Sequence, residues 1–307
     1  MLPAIAATLA IVALGYLLKQ KDFLPDAVWQ GLSPLCYWVL FPGMLFDLMS
    51  KMELSATFLG PFTAAIAIGS VAAIVYALVA ARLAGLGGAS TSSLVQGALR
   101  HNGFLVLSIL QGGLGIAATQ IAAIAIAFLV PISNIVSVFA ILTLTRSGKG
   151  RDMRRAILGE IVRNPLLGAM LVGVGVNWLN VPVPAFIAQA AALLGAGALP
   201  LLLLGIGASL KFSAIRGHAV PLGLAIAAKM LVFPMALVGS GFLLGLDPLA
   251  LAVLAAVGAA PTANSTYTLA VDLGGDAPLM AEIVSLQTVT AALSMPLWIW
   301  LAAWLVG

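Results

Sequence analysis

Long apolar runs alternate with short polar interruptions along the chain, and this alternation sets the first expectation. Ten apolar segments can be marked, at 2–18, 28–48, 59–81, 93–113, 115–142, 164–180, 184–210, 219–245, 249–271 and 279–306. Each approaches the roughly 20 residues needed to cross a hydrocarbon core about 30 Å thick. In lipid every segment must satisfy its own backbone hydrogen bonds, so these segments are predicted as helices. A β-barrel would show alternating strands of about ten residues, and stretches such as 199–210 do not alternate. The predicted fold class is an all-α integral membrane protein with ten transmembrane spans.

Composition agrees with the pattern. Of 307 residues, 62% are apolar and 8% charged, against about a quarter charged in a soluble domain. So little charge cannot cover a water-facing surface, which excludes a soluble enzyme and a nucleic-acid partner and makes the lipid bilayer the medium. Cys36 is the single cysteine, so an intrachain disulfide and a CxxC motif are excluded. Two histidines, His101 and His218, are too few for a histidine-rich metal site, and no HExxH, GxSxG or paired intramembrane aspartate occurs. No catalytic residue, metal or cofactor is expected.

Charge sets the predicted orientation. Odd-numbered connections hold Lys19, Lys21, Arg82, Arg146, Lys149, Arg151, Arg154, Arg155, Arg163, Lys211 and Arg216, whereas even-numbered ones hold only Lys51. Basic loops stay in the cytoplasm. Both termini are therefore predicted outside, in a multi-pass protein of the inner (plasma) membrane. Lys19 and Lys21 follow the first segment and nothing basic precedes it, the reverse of a signal peptide. The longest connection, 145–163, places Met153, Ile157 and Ile161 four residues apart among charges, and reads as a short amphipathic helix on the inner surface. It separates a first five-span repeat, 1–144, from a second, 164–307. An odd number of spans per half inverts the second relative to the first, a recurrent transporter architecture.

Spans 4 and 9 occupy the same place in the two halves, and both read as broken. Span 4 carries Arg100, His101, Asn102 and Gly103 in a row; span 9 carries Pro261, Thr262, Asn264, Ser265 and Thr266. Proline removes an N–H and clashes with the preceding turn, and the freed carbonyl needs a polar partner in lipid. The structural alternative for each cluster is a kink patched by Ser and Thr.

Several stretches resemble the auxin efflux carrier family. QGALRHNGFLVLSI is similar to that family's fourth span, and AAPTANSTYTLAVDLGGDAPLMAEIVSLQTVTAALSMPLWIW to its last two. RNPLLGAMLVGVGV resembles the start of its span 6, and KMLVFP a Lys…Pro pattern of its span 8. The resemblance covers all ten spans. It implies a fold like that of bile acid–sodium symporters, with inverted five-helix repeats whose helices 4 and 9 cross at their breaks. It also implies a transport domain of spans 3–5 and 8–10, moving elevator-like against a scaffold of spans 1, 2, 6 and 7 that often forms a homodimer. The implied function is secondary active transport of a carboxylate, malonate- or auxin-like, by alternating access. The chain departs from the family at Ser108, where many members carry a proline, at His101, which replaces an aromatic, and at Ala291, where a serine is frequent.

Arg100 and Lys229 lie seven to nine residues from the inner ends of their spans, about 10–13 Å deep. The acids counted within or beside spans are Asp47, Asp272 and Glu282, all near span ends. Deep cations without a deep acid favour an anionic substrate. Half-helix N-termini offer free N–H groups to a carboxylate, and asparagine amides can add donors. The candidate substrate-binding residues are therefore Asn102, Asn264, Arg100, Thr262, Ser265, Gln111 and Gln287, around breaks at Gly103 and Pro261. Lys229, Asn134 and Thr288 are candidates for a cation site or its substitute, with Asn134 alternatively patching the kink at Pro131. Coupling to Na+ or H+ is left open. A passive anion channel and an intramembrane enzyme are the alternatives to a carrier.

Overall fold

In the computed structural model residues 2–52, 56–145, 164–210 and 218–305 are described, and no strand occurs among them. The helices are α1 (Leu2–Gln20), α2 (Asp26–Ser50), α3 (Ala56–Leu83), α4 (Gly88–Leu99), α5 (Gly103–Gly113), α6 (Gly115–Leu144), α7 (Pro165–Trp178), α8 (Ala185–Ser209), α9 (Ala219–Leu243), α10 (Pro248–Ala259), α11 (Ser265–Leu273) and α12 (Ala277–Trp304). Six of these, α2, α3, α6, α8, α9 and α12, are long and apolar enough to cross a membrane. The fourth and ninth apolar segments are each divided, into α4–α5 and α10–α11. At 1.5 Å per residue, the 12 residues of α4 or of α10 reach only about 18 Å, well short of a hydrocarbon core about 30 Å thick. The surface helix expected at 145–163, with Met153, Ile157 and Ile161, falls outside the described residues except at Thr145.

The chain's turns occur twice. After α1, Lys21, Asp22 and Phe23 donate backbone N–H bonds to Leu17, Lys19 and Leu18; after α7, Leu179, Asn180 and Val181 donate to Gly175, Asn177 and Val176. Asp22 (φ 48°) and Asn180 (φ 51°) take the same left-handed position, which Asp and Asn tolerate better than other non-glycine residues. Each turn then leads through a proline, Pro25 or Pro184, both with φ −55°, into the next helix. After α3, Ala84, Gly85 and Leu86 bond to Ala80, Arg82 and Ala81; after α9, Leu244, Gly245 and Leu246 bond to Ser240, Phe242 and Gly241. The helices that follow, α4 and α10, have 12 residues each, N-caps at φ −66°, ψ 162°, and C-caps at φ −68°, ψ 143° and φ −67°, ψ 142°. Corresponding positions lie a near-constant 158–160 residues apart (23 to 181, 86 to 246).

Two compact units divide the molecule. Unit 1 comprises Met1–Ser55, Leu107–Ala127 and Ile161–Leu210; unit 2 comprises Ala56–Val106, Phe128–Glu160 and Lys211–Gly307. Both therefore draw on both halves of the sequence. In unit 1, α1 packs against α8, and α2 against α7 and α8. The α1–α8 contact needs glycine on both sides: a Cβ on Gly15 would strike the Leu204 carbonyl, and one on Gly207 the Val12 carbonyl. Such close backbone approach is how apolar helices associate in lipid. In unit 2, α12 packs on α10 and α9 on both α3 and α10. Residues 250–260 are buried on every face, as are 91–99, so α4 and α10 form the interior of this unit.

Two helices widen into a π-turn at the same dipeptide. Cys36–Leu40 in α2 precedes Phe41–Pro42, and Ala228–Val232 in α9 precedes Phe233–Pro234. The proline has no N–H for the carbonyl four residues back, and its ring crowds that carbonyl. Accommodating the clash with one wider turn yields an i+5 bond, from Phe41 N–H to the Cys36 carbonyl and from Phe233 N–H to the Ala228 carbonyl. In α9 the Met230 carbonyl, four residues before Pro234, accepts from the Trp298 indole N–H at 2.7 Å.

Candidate crossover site

The helical backbone stops at Leu99 and resumes at Gly103, and stops at Ala259 and resumes at Ser265. The intervening stretches meet within unit 2: the Asn102 N–H donates to the Pro261 carbonyl at 2.7 Å. Arg100 bridges the same gap, its Nη2 donating to Ser265 Oγ at 3.0 Å. Asn102 and Asn264 hold matching positions, each immediately before the second half-helix of its pair. Asn102 is buried; its Oδ1 accepts from the Leu105 N–H at 3.3 Å, capping α5. Asn264 is half-buried and its carbonyl accepts from Tyr267. Gly103 is half-buried and Ser265 exposed. The N-termini of α5 and α11, the asparagines that precede them and a guanidinium are thus assembled beside one backbone crossing, an arrangement suited to a carboxylate.

Thr262 and Gln287 do something different. Gln287 on α12 is fully buried. Its Nε2 donates to the carbonyls of Gly97 on α4 and Ala225 on α9, each at 3.0 Å. Its Oε1 accepts from the Thr262 N–H at 3.0 Å and the Thr262 hydroxyl at 2.7 Å. Every hydrogen-bonding position of this amide is spent inside unit 2, tying α4, α9, α12 and the second break together. Thr288, one residue on, donates to the Val284 carbonyl of its own helix. Gln111 is exposed near the far end of α5, in the part of that helix that belongs to unit 1, and Asn134 lies half-buried on α6.

Lys229 sits in the π-turn of α9 with 0% exposure, its Nζ 4.4 Å from the centre of the Phe233 ring. It has no hydrogen-bond partner. The carbonyl of the next residue, Met230, accepts from the Trp298 indole N–H. Among the described residues, the acids of unit 2 lie at helix ends. Besides Asp272 and Glu282, Asp247 and Asp276 are N-caps, accepting from Ala250 and Leu279, and Asp276 also accepts from Ser90 at 2.7 Å. Glu282 lies 3.3 Å from His218 Nδ1.

The paired Phe-Pro π-turns, the Gln287 hub and the repeated turns are absent from the expectations that the sequence supports. Signals for two of them exist there: Phe-Pro recurs at 41–42 and 233–234, and Leu-x-Gly-Leu at 83–86 and 243–246. Comparison with known proteins gives an uncharacterized transporter of Methanothermobacter thermautotrophicus, 25% identical over 304 residues that cover 96% of each chain. Residues 1–299 match the family described as membrane transport protein. With several membrane-length apolar helices and two helix pairs broken at a shared crossing, the chain is a multi-pass membrane protein and belongs to that family, the auxin efflux carriers.

Proposed function

We propose that the protein is a secondary active transporter of a small organic anion, bound between Asn102 and Asn264 with Arg100 favouring its charge. The observation that carries this is the 2.7 Å bond from Asn102 N–H to the Pro261 carbonyl, which brings two helix N-termini and their asparagines to one place. In this reading the chain has ten spans in two inverted halves, with paired half-helices counting as one span each. Spans 3–5 and 8–10 are the moving, elevator-like part, and spans 1, 2, 6 and 7 are the scaffold through which two copies pair. The grouping of α1, α2, α7 and α8 in one unit supports that division, and the turns repeated at 158–160 residues support the two halves.

A screen of the purified protein against small mono- and dicarboxylates, with and without sodium, should find a ligand that raises the melting temperature by mass action. A hydrogen bond to a charged group contributes about 1.5–3 kcal/mol, and 1.4 kcal/mol is about tenfold in affinity. Asn102→Ala and Asn264→Ala should each weaken that ligand about ten- to hundredfold. Because Asn102 also caps α5, Asn102→Asp separates the two roles. It keeps the oxygen that accepts from Leu105, with the Arg100 guanidinium two residues away to offset its charge, but sets that charge against the anion, so binding should fall at least as far as in Asn102→Ala while α5 keeps its cap. Arg100→Gln should weaken a dianion more than a monoanion. Wild-type affinity in both alanine variants would remove the crossing as the site.

A further inference from the structure

Four residues among those described have buried side-chain nitrogen or oxygen atoms without a hydrogen-bond partner: Trp29, Gln96, His101 and Lys229. Trp29 belongs to unit 1; the other three belong to unit 2. Gln96 and Lys229 are 0% exposed and His101 5%. Gln96 lies in the last turn of α4, a helix packed against the π-turn that carries Lys229. His101 lies two residues beyond the end of α4, and both Lys229 and Arg100 act on it electrostatically. Neither the Gln96 amide nor either imidazole nitrogen is paired.

Such a concentration calls for an occupant. A buried polar group without a partner is costly, and a buried charge far more so. Lys229 has three donors and no hydrogen-bond partner, with the face of the Phe233 ring 4.4 Å away. A metal ion is the wrong occupant next to an ammonium and a guanidinium. An anion accepts from the ammonium, from an imidazole N–H and from an amide N–H, and it offsets the Lys229 charge, which no carboxylate among the described residues of unit 2 offsets.

We propose that Lys229 and His101, with Gln96 nearby, form a separate site for a small monovalent anion, either a halide or a small carboxylate. This site goes beyond the substrate position at Asn102 and Asn264. Its anion fixes the contact between α4 and α9 and so belongs to the resting protein as much as to the transport step.

The test is thermal unfolding of the purified protein at constant sodium and ionic strength, with gluconate as the bulky background anion replaced stepwise by chloride or by acetate. The melting temperature of the wild type should rise with the logarithm of the added anion. A rise with chloride identifies a halide site; a rise with acetate alone identifies a carboxylate site; either outcome supports the proposal. Lys229→Met should abolish the rise whatever its baseline melting temperature, and Lys229→Arg should retain it. If Lys229→Met does not fold, His101→Phe serves instead and should raise the half-effective anion concentration about tenfold, as for one lost hydrogen bond to an ion. Asn264→Ala should keep the full response, which separates this site from the substrate position. No response in the wild type to either anion, an equal response in Lys229→Met, or its loss in Asn264→Ala would overturn the proposal.

Discussion

Polar residues buried around the crossing fall into two kinds, those whose hydrogen-bonding capacity is spent and those with capacity left. Gln287 is the first kind. Its amide satisfies the Thr262 N–H and the carbonyls of Gly97 and Ala225, three backbone groups that have no water to turn to. Gln287→Leu preserves much of the volume and strands the Thr262 N–H, while the Gly97 carbonyl keeps the Thr262 hydroxyl and the Ala225 carbonyl the Ala228 N–H. One stranded group costs about 1–3 kcal/mol, so the variant should lose at least that much, read as a marked fall in melting temperature in the same detergent. A Leu variant that melts like the wild type and fails only in ligand binding would instead make Gln287 a ligand contact. From sequence, Gln287 and Asn102 look alike, as polar residues within apolar spans. What separates them is their partners: the groups that consume Gln287 come from α4, α9 and the second break, and no local pattern announces contacts of that range.

Proline acts at the level of the helix, and its consequence depends on what lies opposite. The sequence shows Pro42 and Pro234 inside apolar spans and so predicts a disturbance. It does not say whether the helix kinks, breaks or widens. Both widen, because the wider turn keeps the chain helical while moving the carbonyl off the ring. In α9 the Met230 carbonyl, four residues before Pro234, accepts from Trp298 on α12, at 2.7 Å. Trp298→Phe retains the aromatic bulk and removes the donor. It should cost about 1–3 kcal/mol, the desolvation of one unmet carbonyl, while Trp300→Phe on the exposed face of the same helix should change stability little. Equal effects of the two substitutions would mean that the indole N–H does not support the π-turn. At the other breaks the sequence is more explicit. Arg100–Gly103 and Pro261–Thr266 stand out as polar clusters in apolar runs, and helical backbone is absent at 100–102 and 260–264. The number of residues in each gap differs by two, which a count of polar positions does not reveal.

Across the whole molecule, the apolar pattern locates the helices almost to their ends, because hydrocarbon thickness and backbone hydrogen bonding leave few alternatives. The two compact units are not legible in that way. Each is assembled from both halves, unit 1 through contacts such as Asn177 with the Met49 carbonyl and unit 2 through Ser90 with Asp276 or Ser240 with the Ala65 carbonyl. The repeated turns offer a direct test of how the halves are oriented. Phe23 and Val181 hold the same position in the turns after α1 and α7, and both are exposed, at 67% and 49%. Lys19 and Lys21 flank the first turn, whereas the second has no basic neighbour, so the positive-inside rule puts the first inside and the second outside. The proposed five crossings per half would give the same result, since an odd number reverses the direction of the chain. With Cys36 replaced by alanine, single cysteines at Phe23 and Val181 should therefore react with a membrane-impermeant thiol reagent from opposite faces. In intact cells Val181→Cys should label, and Phe23→Cys only after the membrane is opened. Labelling of both in intact cells would make the halves parallel copies. The breaks at 100–102 and 260–264 would then enter the bilayer in the same sense, and the N-termini of α5 and α11 could no longer face one anion from opposite directions.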